Sequence, residues 1–123
     1  MIETIKQALA QMHTPVLETV GIPRDTVPVI ALRPAGEVIR HRAGSLDYIR
    51  ELSVDLVACA ATPAEATTLT RKAEQILCAR PYKMKMTERV PSFDPRGRVY
   101  MVSSRYKAYE LAGRQAMISD YGL

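Results

Sequence analysis

The sequence predicts an α+β domain: a two-layer sandwich whose four-stranded antiparallel sheet carries two helices on one face, in the order αββαββ. Three observations lead there. Residues 47–60 alternate, with Leu52, Val54, Leu56, Ala58 and Ala60 on one side and Glu51, Ser53 and Asp55 on the other. That period of two marks a half-buried antiparallel strand. Thr62-Pro63-Ala64-Glu65 is a helix start: threonine caps, proline suits the first helical position, and Glu65 can return to the free amide. Finally, a helical pattern followed by two extended ones occurs twice, and helices segregated to one side of such a sheet make two layers. The length of 123 residues suits one domain with one core.

The elements follow in order. Ile2, Ile5, Leu9 and Met12 recur three and four apart, which predicts a helix over 2–12. Thr14-Pro15 interrupts it, because the residue before proline avoids the helical region. Residues 27–33 read as a strand, with Pro28 at an edge or at the start because it lacks a donor. Residues 34–46 read as a loop or flared hairpin arm, too long for a tight turn, with Gly36 and Gly44 near its ends. Val57 and Cys59 make the far end of strand 47–60 apolar on both faces, so that end is expected to be covered twice. Ala66, Leu69, Ala73, Ile76 and Leu77 form the stripe of a helix over 63–79, stopped by Ala79-Arg80-Pro81. Its Leu69, Ala73 and Ile76 are expected to meet Leu52, Val54 and Leu56.

Residues 82–90 form the third strand, with Tyr82, Met84, Met86 and Val90 on one face and Lys83, Lys85, Thr87 and Arg89 on the other. Glu88 interrupts the apolar face and marks a sheet edge or a bulge. Pro91-Ser92-Phe93-Asp94-Pro95-Arg96-Gly97 reads as a turn cluster, and residues 98–110 as the last strand, paired with the third as a hairpin. The domain spans 1–110, and residues 111–123 form a C-terminal arm.

Composition bounds the function. An apolar share of 47% and a charged share of 24% are those of a globular chain. No apolar run is long enough for a membrane-spanning helix, and no membrane partner is expected. The opening Met1-Ile2-Glu3-Thr4-Ile5-Lys6 lacks the regions of a secretory signal. Cys59 and Cys78 are too few for a disulfide framework, so a reducing cytoplasm is the expected setting. Both cysteines read as small buried hydrophobes. The net charge is a mild +4, but residues 80–107 hold eight basic and two acidic residues, which leaves the remainder net acidic. A second small basic cluster is Arg40-His41-Arg42. No aromatic residues cluster beside these charges for base stacking.

No catalytic constellation is legible. His13 and His41 have no spaced partner for a triad or a metal, no C-x-x-C or phosphate-cradling glycine motif occurs, and Glu51 and Asp55 read as a solvated row on one strand face. An enzyme is not expected, nor is a cofactor or a metal.

The segment Tyr48-Ile49-Arg50-Glu51-Leu52-Ser53-Val54-Asp55-Leu56-Val57-Ala58, then Thr62-Pro63-Ala64-Glu65-Ala66, and the ending Val99-Tyr100-Met101-Val102-Ser103-Ser104-Arg105-Tyr106-Lys107-Ala108-Tyr109 resemble the tail terminator (tail completion) proteins of long-tailed bacteriophages. The resemblance rests on element order and spacing over nearly the whole chain and is weakest at 34–46 and 111–123. It implies a structural virion protein at the head-proximal end of the tail, assembled in the host cytoplasm. It further implies a homohexameric ring that ends polymerisation of the tail tube protein and meets a head connector or head-completion protein. Genomic DNA would pass its lumen without specific binding. Arg40, His41 and Arg42 in the arm, and Arg96 and Arg98 around the later turn, are the expected interface residues, since both loops exceed what strand reversal needs and both carry charge. The alternatives are another head–tail connector or minor tail protein, or a small basic nucleic-acid-binding α+β module. That module would gather Lys83, Lys85, Arg89, Arg96 and Arg98 into one stripe.

Overall fold

Two long alternating segments form the centre of the sheet. The structure, a computed structural model, describes residues 1–19, 27–41 and 48–111. Helix α1 (Ile2–Leu9) and a 3-10 turn (Ala10–Met12) lead to strands β1 (Val16–Glu18), β2 (Val29–His41) and β3 (Tyr48–Ala60). Helix α2 (Pro63–Leu77) and strands β4 (Lys85–Asp94) and β5 (Val99–Leu111) follow. The sheet order is β1-β2-β3-β5-β4. The four long strands pair antiparallel, and β1 lies parallel to β2.

The fifth strand corrects the expected four-stranded antiparallel sheet. His13 closes the 3-10 turn in the left-handed conformation, at φ 56°, and the chain beyond Pro15 runs extended beside β2. Ile30 donates its N–H to the Pro15 carbonyl at 2.9 Å, and Thr19 donates to Leu32 at 3.1 Å. Three residues are too few for an alternation signal. The first helix is also shorter than expected, because its last turn tightens into the 3-10 form.

β2 corrects a second expectation. Residues 34–41 are strand rather than loop, so of the two readings of this stretch the hairpin arm is the one formed. A bulge between Pro34 and Gly36 carries the ladder past the proline, and Gly36 adopts φ +146°, which glycine tolerates and other residues avoid. Residues 42–47, the rest of the expected arm, and residues 112–123, which make up nearly all of the expected C-terminal arm, lie outside the described residues.

Both helices cover one sheet face, as expected. Thr62 accepts the Glu65 N–H at 3.2 Å and so caps α2. Ile5 and Leu9 of α1 and Ala73 and Leu77 of α2 pack on Ile30, Leu32, Val54, Leu56, Tyr106 and Ala108. Leu69 instead joins Ala58, Ala60, Ala66 and Val102, since the start of α2 lies over the small residues at the end of β3. Leu77 and α1 therefore close the main core, and Leu52 is only half-buried. On the opposite face Val29, Ala31, Val57, Cys59 and Val99 are also buried, which is the double cover expected at that end.

Glu88 does mark a bulge, between Met86 and Glu88. The extra residue reverses the alternation, so Val90 stands opposite Ser103, on the other face from Met86. The strand begins later than expected and continues through Asp94, absorbing much of the expected turn cluster. The turn itself is residues 95–98. Asp94 Oδ1 accepts the Arg96 N–H at 3.2 Å, and Arg98 sits at φ 52°.

Candidate functional site

The helix-free sheet face carries most of the charge that alternation turned away from the core. Arg33, Asp55, Arg105 and Glu88 are successive partners across β2, β3, β5 and β4. Opposite charges on facing strands attract, and this row alternates in sign across four strands. Arg105 grips Asp55 with two bonds, Nε to Oδ1 at 2.9 Å and a terminal nitrogen to Oδ2 at 3.2 Å, and stands 3.8 Å from Glu88. The bonds and charge of Asp55 hold the guanidinium even more firmly protonated than usual. Farther along, Lys107 Nζ meets Glu51 Oε1 at 3.0 Å, with Glu51 only 4% exposed. Lys85 Nζ lies 5.9 Å from the centre of the Tyr109 ring. Glu51 and Asp55 are therefore half of a paired network rather than a solvated row.

The residues expected at an interface fall at opposite ends of the molecule. Arg40 and His41 stand opposite Ile49 and Tyr48 at the arm end, and Arg42 lies outside the described residues. Arg96 and Arg98 are exposed in the turn that precedes Val99, at the end of β3 marked by Ala60. At about 3.3 Å per strand residue, the length of β3 separates the two groups by roughly 36 Å. The 95–98 turn is no longer than strand reversal uses, so only its charge singles it out. Nor do the five basic residues form a stripe: Lys83 precedes β4, in the left-handed conformation at φ 47°. Arg89 lies on the helix side, paired with Glu74 of α2, Lys85 lies on the helix-free face, and Arg96 and Arg98 sit beyond the far end of β4.

Two features of the arm were not legible. Val38 and Ile39 are each 51% exposed, on opposite faces of one strand. Between the arm and the start of α1 lies a groove of about 440 Å³, lined by Met1, Ile2, Leu52 and the Glu37–Arg50 pair, whose Arg50 Nε lies 2.7 Å from Glu37 Oε1. Finding either from sequence would need the register of β2 beyond Gly36.

The remaining chemistry is quiet. Cys59 is buried, and burial pushes its thiol up against a smaller pull from Arg33. Cys78, expected to be buried, is exposed just past α2, and partial desolvation together with Glu74 pushes its thiol up too. Neither is an activated thiolate. Burial likewise keeps the Tyr106 phenol protonated far into alkali, and its hydroxyl has no hydrogen-bond partner among the described residues. Among those residues no group of three His, Cys, Asp or Glu could hold a metal ion, and no helix is long and apolar enough to cross a membrane.

No family model and no curated protein matches the sequence. The fold does have a solved counterpart. A chain in the virion of a native gene transfer agent particle superposes with a TM-score of 0.59 at 10% identity, covering 86% of this chain and 88% of that one. At that identity the likeness is one of fold.

Proposed function

We propose that this chain is a structural protein of a phage-like virion, a tail terminator that caps the head-proximal end of the tail tube as a ring of copies. The ring ends tube polymerisation and offers the head its joining surface. The observation that carries this reading is the fold shared, over most of both chains, with a chain of the gene transfer agent virion. Two features support it. A cap at a joint needs two unlike axial surfaces, and this molecule has two unlike ends, the three-stranded arm and the short 95–98 turn, each with basic residues. A joint must also let DNA pass, and the alternating row of Arg33, Asp55, Arg105 and Glu88 offers a face where positive charge is answered within the sheet. The role is structural, without catalysis, cofactor or sequence-specific DNA binding. Its partners are its own copies, the tube protein and a head connector.

The test is to mix the purified chain with growing tail tubes of the particle that encodes it. Electron microscopy should show density at one tube end and arrested length. Bare ends, or a coat along the whole tube, would reject the cap. Submicromolar, sequence-selective DNA binding at physiological salt would promote the nucleic-acid module instead.

A further inference from the structure

Among the described residues β2 has an open edge. Backbone bonds alternate in direction along an antiparallel strand. Ile30 donates toward Pro15 and Leu32 accepts from Thr19, so these two face β1, while Ala31 and Arg33 face β3. Past the bulge Gly36, Val38 and Arg40 pair with Ser53, Glu51 and Ile49, the β3 residues whose bonds point to β2. Glu37, Ile39 and His41 therefore turn their N–H and C=O groups outward, and no strand among the described residues meets them. The same alternation carried through β3 and β5 points Glu88, Val90, Ser92 and Asp94 at β5 and leaves Arg89, Pro91 and Phe93 facing out of β4. Pro91 is tolerated there because no donor is required.

We propose that the β4 edge of one copy adds to the β2 edge of the next, with Val38 opposite Val90. The proposal relies on the ring reading above for its closure; the contact itself rests on geometry and charge. Directions alternate through β2, β3, β5 and β4, so a neighbour in the same orientation presents β4 antiparallel to β2. Faces agree as well. Val38 shares the helix-free face with Glu51, and Val90 shares it with Ser103, so the joined sheets keep their helices on one side. In this register two half-exposed valines, 51% and 47%, cover each other. Ile39 and Arg89 exchange both backbone bonds, the Pro91 carbonyl accepts from the Glu37 N–H, and Arg40 stands opposite the oppositely charged Glu88. A shift of two residues sets Val38 against Glu88 or Ser92 and loses the apolar pair. Because the contact joins two different edges it repeats from copy to copy, as a ring requires.

The test uses the full chain in a Cys78→Ser background. With Val38→Cys and Val90→Cys together, oxidation should give a ladder of disulfide-linked multimers on a non-reducing gel. Either substitution alone should stay monomeric, and an equimolar mixture of the two single variants should stop at dimers. Cross-linking by Val38→Cys alone, or none by the double variant up to millimolar concentration, overturns the proposal. Ile39→Pro removes an outward donor and no bond to β3, and an edge position tolerates proline, so the chain should still unfold cooperatively in urea while self-association weakens about tenfold; unchanged association also overturns it. The two readings fail separately. A ladder from a chain that does not cap tubes sinks the terminator alone, and capping without cross-links sinks this contact alone.

Discussion

The two halves of β2 share one partner strand and little else. Val29, Ile30, Ala31 and Leu32 are fully buried, whereas Glu37, Val38 and Ile39 are exposed. Both halves pair with β3 along their length. The first half has β1 beside it, helices over one face and a second apolar cluster on the other. Among the described residues the second half has the ladder, the Glu37–Arg50 pair and a groove shared with the start of α1. Pairing is enough to hold a strand in place, but cover makes it stable, and among the described residues no strand pairs with the outer edge of the second half.

That comparison can be broken at either half. The largest effect belongs to the covered half. Leu56→Ala, beneath α1 and α2, should lower unfolding free energy by about 2–5 kcal/mol in a urea titration. A loss below about 0.5 kcal/mol would mean that the helices do not cover this face. Next comes Glu51, which β3 carries into the arm yet keeps buried. Glu51→Gln weakens the bond to Lys107 and should cost about 1–2 kcal/mol by thermal unfolding. An unchanged protein would place that pair in free solvent.

Tyr106 sharpens the comparison through pH. Its folded pKa is raised above the unfolded value, so the stability it supports is complete below about pH 10, where the unfolded phenol is still neutral. Above that pH the unfolded phenol ionises while the buried one resists, and stability should fall. Tyr106→Phe should abolish this part of the alkaline fall, seen as a flatter plot of urea midpoint against pH between about 9 and 11. At neutral pH it should change stability by less than about 1 kcal/mol, because it removes a hydroxyl without a hydrogen-bond partner among the described residues. The smallest effect belongs to the arm. Val38→Ser or Ile39→Ser should shift the stability of the isolated chain by less than about 0.5 kcal/mol.

Much of this architecture was legible in the residues. β3, the cap at Thr62, the stripe of α2 and the double cover at Val57 and Cys59 all follow from period and from turn chemistry. Glu88 even marked its bulge. What escaped was the consequence of bulges. One extra residue near Ala35, and another at Thr87, reverse which side chains share a face, and alternation read straight through those points assigns Val90 to the wrong side. β1 escaped because three residues carry no period. At the candidate site the charged residues were visible but their pairing was not. That Arg105 meets Asp55, fifty residues earlier in the chain, is a property of register rather than of local pattern.

The arm also has a mechanical side. β3 and β5, thirteen residues each, run unbroken from the arm tip, where Ile49 faces Leu111, to the far end, where Ala60 faces Tyr100. Tension applied to the tip along the strand direction loads this whole ladder in shear, so its bonds must yield together instead of opening one at a time from an end. Arg105 and Asp55 bridge the two strands midway, and sliding one strand past the other by a single residue would part them. An arm continuous with the central strands passes any pull on its tip along the whole length of that ladder.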